Sequence, residues 1–318
     1  MPNSIDGFFN SMSAAFTEAN KVLKPQARFL SGDNGNPIIY TDIRSEPMAR
    51  YKKVTLNVPA STVVVNNILS TPISIHNLNH TPTEVSLDYL PATGFVLGPL
   101  DELYAASPAQ LKSAYVDEVV QAMIRKVNGY ITSKITTAIF NTAGNVTGAA
   151  NAGVPLADFT KMQGVLAARD VNVEDEGNLF FVSNSQIYTN LLGQPEWREA
   201  SKVGDSRASR QIRSGILDVT LGAIPLRDNQ MPSSVTSGTR TSTSAYFHRN
   251  AMAMVTAPLQ PPESTVAYSY ETFGPLTILI AIGYNQDTAE HKLTFHALCG
   301  VVPWRKDHMV IHTATTSE

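Results

Sequence analysis

Ser107-Pro-Ala-Gln-Leu111-Lys-Ser-Ala-Tyr115-Val-Asp-Glu-Val119-Val-Gln-Ala-Met123-Ile-Arg-Lys-Val127-Asn-Gly-Tyr-Ile131-Thr-Ser-Lys-Ile135-Thr-Thr-Ala-Ile139-Phe-Asn141 is the longest periodic stretch of the 318-residue chain. Leu111, Tyr115, Val119, Met123, Val127, Ile131, Ile135 and Ile139 step along one helical face. Lys112, Glu118, Arg125, Lys126 and Lys134 fall largely elsewhere. Ser107 suits the N-cap and Pro108 the first helical position. Unbroken to Asn141, such a helix is about 50 Å long at ~1.5 Å per residue. Gly129 is its soft point, and no sustained heptad with paired flanking charges makes it a coiled coil. The spacing predicts a spine laid against sheet.

Upstream the period changes. Val54, Leu56 and Val58 alternate with Thr55 and Asn57, and Val85, Leu87 and Tyr89 alternate with Ser86 and Asp88. Between them lie the β-branched runs Thr62–Val65 and Ile73–Ile75, broken by Pro59, Pro72 and Pro82. These are long strands with one polar face, an excursion whose edges another chain must cover. At the start, Ile5, Phe8, Phe9, Met12, Phe16, Ala19 and Leu23 describe an amphipathic helix that Pro25 ends. A loop, Ser31-Gly-Asp-Asn-Gly-Asn-Pro37, follows.

Downstream the pattern is mixed α/β. Asp158 is expected to cap a helix carrying Phe159, Met162, Val165 and Leu166. An acidic turn, Glu174-Asp-Glu-Gly177, precedes a buried strand at Leu179–Val182 and a short helix around Ile187–Leu192. Gly215–Asn229 reads as strand, turn and strand, and the Ser/Thr/Gly tract Ser233–Ser244 as a mobile surface loop. Further strands are expected near Ala245–Val255, Thr265–Glu271, Leu276–Gly283 and Leu293–Val301.

Composition bounds function. The chain is 43% hydrophobic but only 16% charged, with net charge −3. A sizeable core follows, and global disorder does not. The near-neutral charge gives no strong attraction to nucleic acid or anionic membrane. The shortage of charge suggests that much of the surface meets other protein. The single cysteine, Cys299, excludes an intrachain disulfide framework and cysteine-held zinc. MPNSIDGFFNSMSAAF does not read as a secretory signal. The densest apolar run, Leu276–Ile282, is far short of the roughly 20 residues that cross a bilayer. The expectation is a soluble chain matured in a reducing cytoplasm.

No phosphate loop, dinucleotide fingerprint or nucleophile elbow occurs. His76 and His80 have zinc-helix spacing, but no glutamate follows His76 and the stretch reads as a turn. His296 and Cys299, three apart on a strand, face opposite sides, which leaves Cys299 a small buried hydrophobe. Glu174, Asp175 and Glu176 lack the alternate spacing of a calcium loop and read as a solvated turn. Trp197 and Trp304 read as core or interface anchors. Arg207, Arg210 and Arg213 form a guanidinium stripe that is either an intersubunit or phosphate-contacting patch or a solvated face. No catalytic, cofactor or metal site emerges.

The order of elements and the local text resemble the major capsid proteins of tailed bacteriophages, the Hong Kong 97-like capsid fold. The resemblance runs from about residue 50 onward. It rests on Glu84-Val-Ser-Leu-Asp88 leading into Phe95-Val-Leu-Gly-Pro-Leu-Asp101, the spine, Phe159–Arg169, Asn178-Leu-Phe-Phe-Val-Ser183 and Ile187-Tyr-Thr-Asn-Leu-Leu192. It continues through Ser214–Asn229 with Met231-Pro232, Tyr246-Phe-His-Arg-Asn-Ala-Met-Ala-Met-Val-Thr256, and Leu293–Val302 before Pro303.

The resemblance implies an α+β chain. Its parts are an N-terminal arm (1–49), a β E-loop (50–92), a P-domain with the spine (93–154), an α/β A-domain (155–262), and closing P-domain strands with a tail (263–318). It also implies self-assembly through pentamers and hexamers into an icosahedral virion shell, formed in the host cytoplasm around double-stranded DNA held nonspecifically. A separate scaffolding protein and a portal are the further partners, with no membrane. Phe8, Phe9, Phe16, Lys52, Lys53, Arg207, Arg210 and Arg213 are the candidate intersubunit contacts. Lysine–asparagine cross-linking, known in some such shells, is not expected, because no partner set is identifiable for Lys52 and Lys53. The alternative is an encapsulin-type nanocompartment shell.

Overall fold

Leu179-Phe-Phe-Val-Ser183 is buried at all five positions, which requires cover on both faces of the strand. The computed structural model supplies it. It describes residues 27–32, 36–59, 80–97, 117–140, 144–148, 154–175, 177–194, 216–217, 222–262, 267–285 and 290–317.

The strands are β1 (Tyr40–Ile43), β2 (Lys53–Pro59), β3 (His80–Ser86), β4 (Ala92–Leu97), β5 (Val146–Thr147), β6 (Leu179–Ser183) and β7 (Ile224–Arg227). They continue as β8 (Ser233–Thr236), β9 (Thr239–His248), β10 (Met252–Ala257), β11 (Ala267–Phe273), β12 (Leu276–Asn285), β13 (Glu290–Pro303) and β14 (Met309–Ser317). The helices are α1 (Arg28–Ser31), α2 (Asp117–Ser133), α3 (Leu156–Ala167) and α4 (Ser185–Gly193).

Among the described residues these strands form two six-stranded sheets and one hairpin. The first sheet runs β1-β10-β13-β12-β11, with β4 also on β13. Residues 291–296 of β13 pair with β12 and β4 at once, so those two strands occupy opposite edges. The second sheet runs β5-β14-β9-β6-β7, with β8 also on β9. The hairpin is β2–β3, in the register Val54↔Val85.

Strand alternation sorts the side chains into three cores. Phe180, Val182, Phe247, Met309 and Ile311 of the second sheet join Ile278, Ile280, Phe295 and Cys299 of the first around Val120, Met123, Ile124, Val127 and Ile131 of α2. Leu179, Phe181, Tyr246 and Val310 point the other way, against Phe159, Met162 and Leu166 of α3 and Ile187 and Leu191 of α4. In the first sheet, Ala253, Val255 and Leu298 turn away from the spine and meet Val54, Leu56, Val85 and Leu87 at the root of the β2–β3 hairpin. The spine and the hairpin root therefore cover opposite faces of one sheet.

The spine ends earlier than the periodicity implies. Its described part, Asp117–Ser133, is 17 residues or about 25 Å, and it stops eight residues before Asn141. Lys134 N donates to Ile131 O and Ile135 N to Thr132 O, tightening the chain out of the α-helix. Ile135 and Phe140 remain buried after the helix has stopped, so the apolar spacing outlasts the element. Ser107 and Pro108, the terminal helix around Phe8 and Phe16, and the runs Thr62–Val65 and Ile73–Ile75 lie outside the described residues.

Four other expectations are corrected. Asp158 does not cap α3, whose N-cap is Pro155; it sits in the first turn and its carboxylate faces Lys161 and His312. Strand does not run straight from Ala245 to Val255, because a 3₁₀ turn at Arg249–Ala251, held by Asn250 N donating to His248 Nδ1, separates β9 from β10. The chain after Met309 is no tail but β14, paired with β9 along nine positions. Ser233–Ser244 is not a loop but the β8–β9 hairpin, turned at Ser237 (φ 51°) and Gly238 (φ 74°). Positive φ at both central residues is the two-residue turn that matches strand twist. A Cβ at Gly238 meets nothing within 4 Å, so the cost of Gly238→Ala is purely conformational. We expect a loss of about 1 kcal/mol by urea unfolding; an unchanged midpoint would mean the turn relaxes.

Candidate assembly surfaces

The hairpin root is fixed by close approach. Tyr51 N donates to Leu87 O at 2.8 Å and Leu87 N to Lys52 O at 3.0 Å. A Cβ on Gly300 of β13 would lie 2.2 Å from Ser86 O. Tyr89 N and Cys299 N each donate to the other residue's carbonyl, continuing the register of β4 along β13. Tyr89 stacks on Tyr130 of the spine at 4.0 Å, and Tyr130 Oη donates to Asp88 Oδ1 at 2.9 Å. Burial raises both phenols above their usual range, so both stay protonated donors. An open groove of about 610 Å³ lies beside this stack, lined by Arg125, Lys126, Gly129 and Gln230 among others.

Of the candidate contact residues, Lys52 and Lys53 are exposed at the foot of the hairpin. Lys53 Nζ pairs with Glu84 Oε2 across the hairpin at 2.6 Å, and that hydrogen bond and charge raise its ammonium above the ordinary lysine value. Such an exposed pair contributes little to stability. Phe8, Phe9, Phe16, Arg207, Arg210 and Arg213 lie outside the described residues, as do Trp197 and His76. His80 stands in β3 opposite Pro59, in strand rather than turn.

The groups with chemical potential are used structurally. Cys299 is fully buried, and burial, with the Asp88 charge second, pushes its thiol up to about 12. A thiol so held is not a nucleophile at neutral pH. His296 is on the face of β13 opposite Cys299, as the spacing predicts. Asp175 of the acidic turn accepts from Asn178 Nδ2 at 2.9 Å and lies 3.5 Å from His248 Nε2. Among the described residues no group of three histidines, cysteines or carboxylates is placed to hold a metal. None of their helices is long and apolar enough to cross a membrane. Trp304 packs on Tyr40 at 4.5 Å beside the hairpin-root core, an anchor as expected.

Two surface features escape sequence reading. Tyr51 has a left-handed backbone (φ 67°) and a ring that is 62% exposed, with the Arg50 guanidinium 4.6 Å from its centroid. β11 ends the path of the first sheet and carries Tyr268, 53% exposed. The first has no signal in the sequence. The second has one, since Ala-Tyr-Ser-Tyr-Glu-Thr-Phe273 is rich in strand formers yet contains neither lysine nor proline to protect an edge.

No protein-family model and no curated protein matches the sequence. Solved structures do match. A chain from Mycobacterium phage Che8 aligns at a TM-score of 0.55 and 15% identity, covering 82% of this chain and 84% of its own. The capsid of cyanophage P-SCSP1u aligns at 0.59 and 12%, covering 88% and 87%. A virus-like particle from Pyrococcus furiosus aligns at 0.52 and 7%, covering 96% and 99%. The chain has the α+β fold of shell-forming capsid subunits. That fold is the Hong Kong 97-like one that its sequence resembles.

Proposed function

We propose that this chain is the major capsid protein of a tailed bacteriophage, a structural subunit without catalytic function. Many copies close through pentamers and hexamers into an icosahedral shell around double-stranded DNA. The observation that carries the reading is the capsid fold shared over 88% of the chain with a cyanophage capsid. In this reading residues 1–49 are the arm, 50–92 the E-loop, 93–154 and 263–318 the P-domain and 155–262 the A-domain. Phe8, Phe9, Phe16, Lys52, Lys53, Arg207, Arg210 and Arg213 contact neighbouring copies. A separate scaffolding protein and a portal complete assembly in the host cytoplasm. The nearly full-length match to a virus-like particle favours one second reading, a nanocompartment shell that encloses protein cargo.

Electron microscopy of the chain expressed alone and with its scaffold tests both. Closed shells or spirals of uniform wall thickness are expected, with large DNA-filled particles marking the virion. Small shells filled with protein would select the nanocompartment. A chain that stays monomeric under crowding would remove both.

A further inference from the structure

One two-stranded ribbon runs through both sheets. β10 and β13 pair in the first sheet as far as Met252↔Pro303, and β9 and β14 pair in the second from Phe247↔Met309. Between those pairs the ribbon bends, with the 3₁₀ turn Arg249–Ala251 in one strand and a second, Lys306–His308, in the other. Trp304 N and Arg305 N both donate to Ala251 O, at 2.9 and 3.1 Å, and clamp the two sides of the bend together.

Two imidazoles sit there. The rings of His248 and His308 meet edge to face, 5.6 Å between centroids. His248 Nδ1 accepts from Asn250 N at 3.2 Å, and its Nε2 faces Asp175 Oδ2 at 3.5 Å. A ring that accepts at Nδ1 is neutral, with its hydrogen on Nε2. Buried His308 Nδ1 has no hydrogen-bond partner among the described residues, and neither has Arg249 Nε or Arg305 Nε.

The charges around the pair are mostly positive. Arg305 acts on both rings, and Arg249 and exposed Lys306 belong to the two turns. The Arg169 guanidinium bonds Asp307 O and Met309 O, on either side of His308. Against these stand Asp175 beside His248 and the exposed Asp307. Burial is the largest cause holding both imidazoles below their ordinary value of 6.5. Arg305 and His248 add to it at His308, which falls to about 4, whereas Asp175 opposes it at His248.

We propose that this bend is an acid-sensitive joint, in which protonation of the His248–His308 pair parts the two turns and lets the sheets shift against each other. A proton on His248 goes to Nδ1, so a donor then faces the Asn250 N–H and the cap of the first turn is lost. A proton on His308 places a second charge beside the first and near Arg305. Once the bend opens, both rings return toward 6.5, so below that value the open bend binds more protons than the closed one. Closure is therefore intact at neutral pH and weakens as pH falls from 6.5 toward about 4. The shared core around α2 keeps the sheets attached meanwhile. The joint lies within one subunit and operates in either kind of shell.

Hydrogen exchange of the full-length, unassembled chain at about pH 7 and about pH 5, with times scaled for the intrinsic rate, tests this. Amides of His248–Met252 and Trp304–Met309 are expected to exchange about tenfold faster at the lower pH, while those of α2 keep their protection. His248→Asn keeps an oxygen where Nδ1 accepts and, like His308→Gln, takes up no proton. Each is expected to shrink the acid response, and both together to abolish it. Equal protection at the two pH values, acceleration spread evenly over α2, or an acid response that persists in the double variant would each overturn the joint. Should the double variant fail to fold, an undiminished response in both single variants would do the same.

Discussion

A subunit carrying Gly300→Val loses about 3 kcal/mol of stability and releases the β2–β3 hairpin from the sheet. The valine Cβ would sit 2.2 Å from Ser86 O, 2.9 Å from the Ser86 carbonyl carbon and 3.0 Å from Val85 Cγ1. Two of those atoms are backbone, fixed by the pairing of Lys53 with Ser86, so no rotamer change clears them. The hairpin root must lift, and the core it closes contains Val54, Leu56, Val85 and Leu87. Each such side chain contributes roughly 1.5–3 kcal/mol when fully buried, so even partial exposure exceeds the cost of an ordinary surface change. Amides of β2 and β3 should exchange faster with solvent while those of α2 keep their protection. Uniformly faster exchange would show instead that hairpin and sheet unfold as one unit.

Gly300 also shows what a sequence conveys. A glycine within the apolar strand Leu293–Val302 signals close approach, yet nothing local says of what. The elements themselves were legible wherever one period ran undisturbed. β2 and β3 alternate, β6 opens on the apolar run Leu179–Val182 because both its faces are covered, and β12 and β13 lie within two to three residues of expectation. The spine was overextended because Ile135 is buried as deeply as Ile131 although the helix has ended between them. Burial, not helicity, sets that spacing. β14 was missed because its second half, Thr313–Ser317, like Thr239–Ser244 of β9, is largely threonine and serine, which reads as loop. The two halves are held as strand in part by pairing with each other, as at Thr313↔Thr243 and Thr315↔Thr241. The hairpin foot with Lys52 and Lys53 was expected as a contact, whereas Tyr51 is set apart by a backbone angle that composition does not encode.

Asp228→Ala is expected to cost about 3 kcal/mol through orphaned donors. The wild-type carboxylate is fully buried and accepts from Asn128 Nδ2 at 2.8 Å, Gln230 N at 2.8 Å and Arg28 N at 3.1 Å. Asn128 Oδ1 in turn accepts from Phe29 N at 3.2 Å. One acid thus ties α1, the spine and the turn after β7 together. Alanine leaves two backbone donors without their partner, at roughly 1–3 kcal/mol each, while Asn128 keeps its bond to Gln230 Oε1. The pH dependence has a definite sign. Burial raises the Asp228 carboxyl above its ordinary value of 3.8, outweighing the three hydrogen bonds that favour the charge. Between the unfolded and folded values the folded chain binds more protons, so this group's contribution is full below 3.8 and is lost as pH rises through the folded value. The gap between wild type and Asp228→Ala in urea unfolding should therefore be wider near pH 4 than at pH 7. A gap that widens toward neutral pH would mean that the hydrogen bonds, not the burial, set the ionisation of this acid, and that the junction is held by a charge rather than despite one.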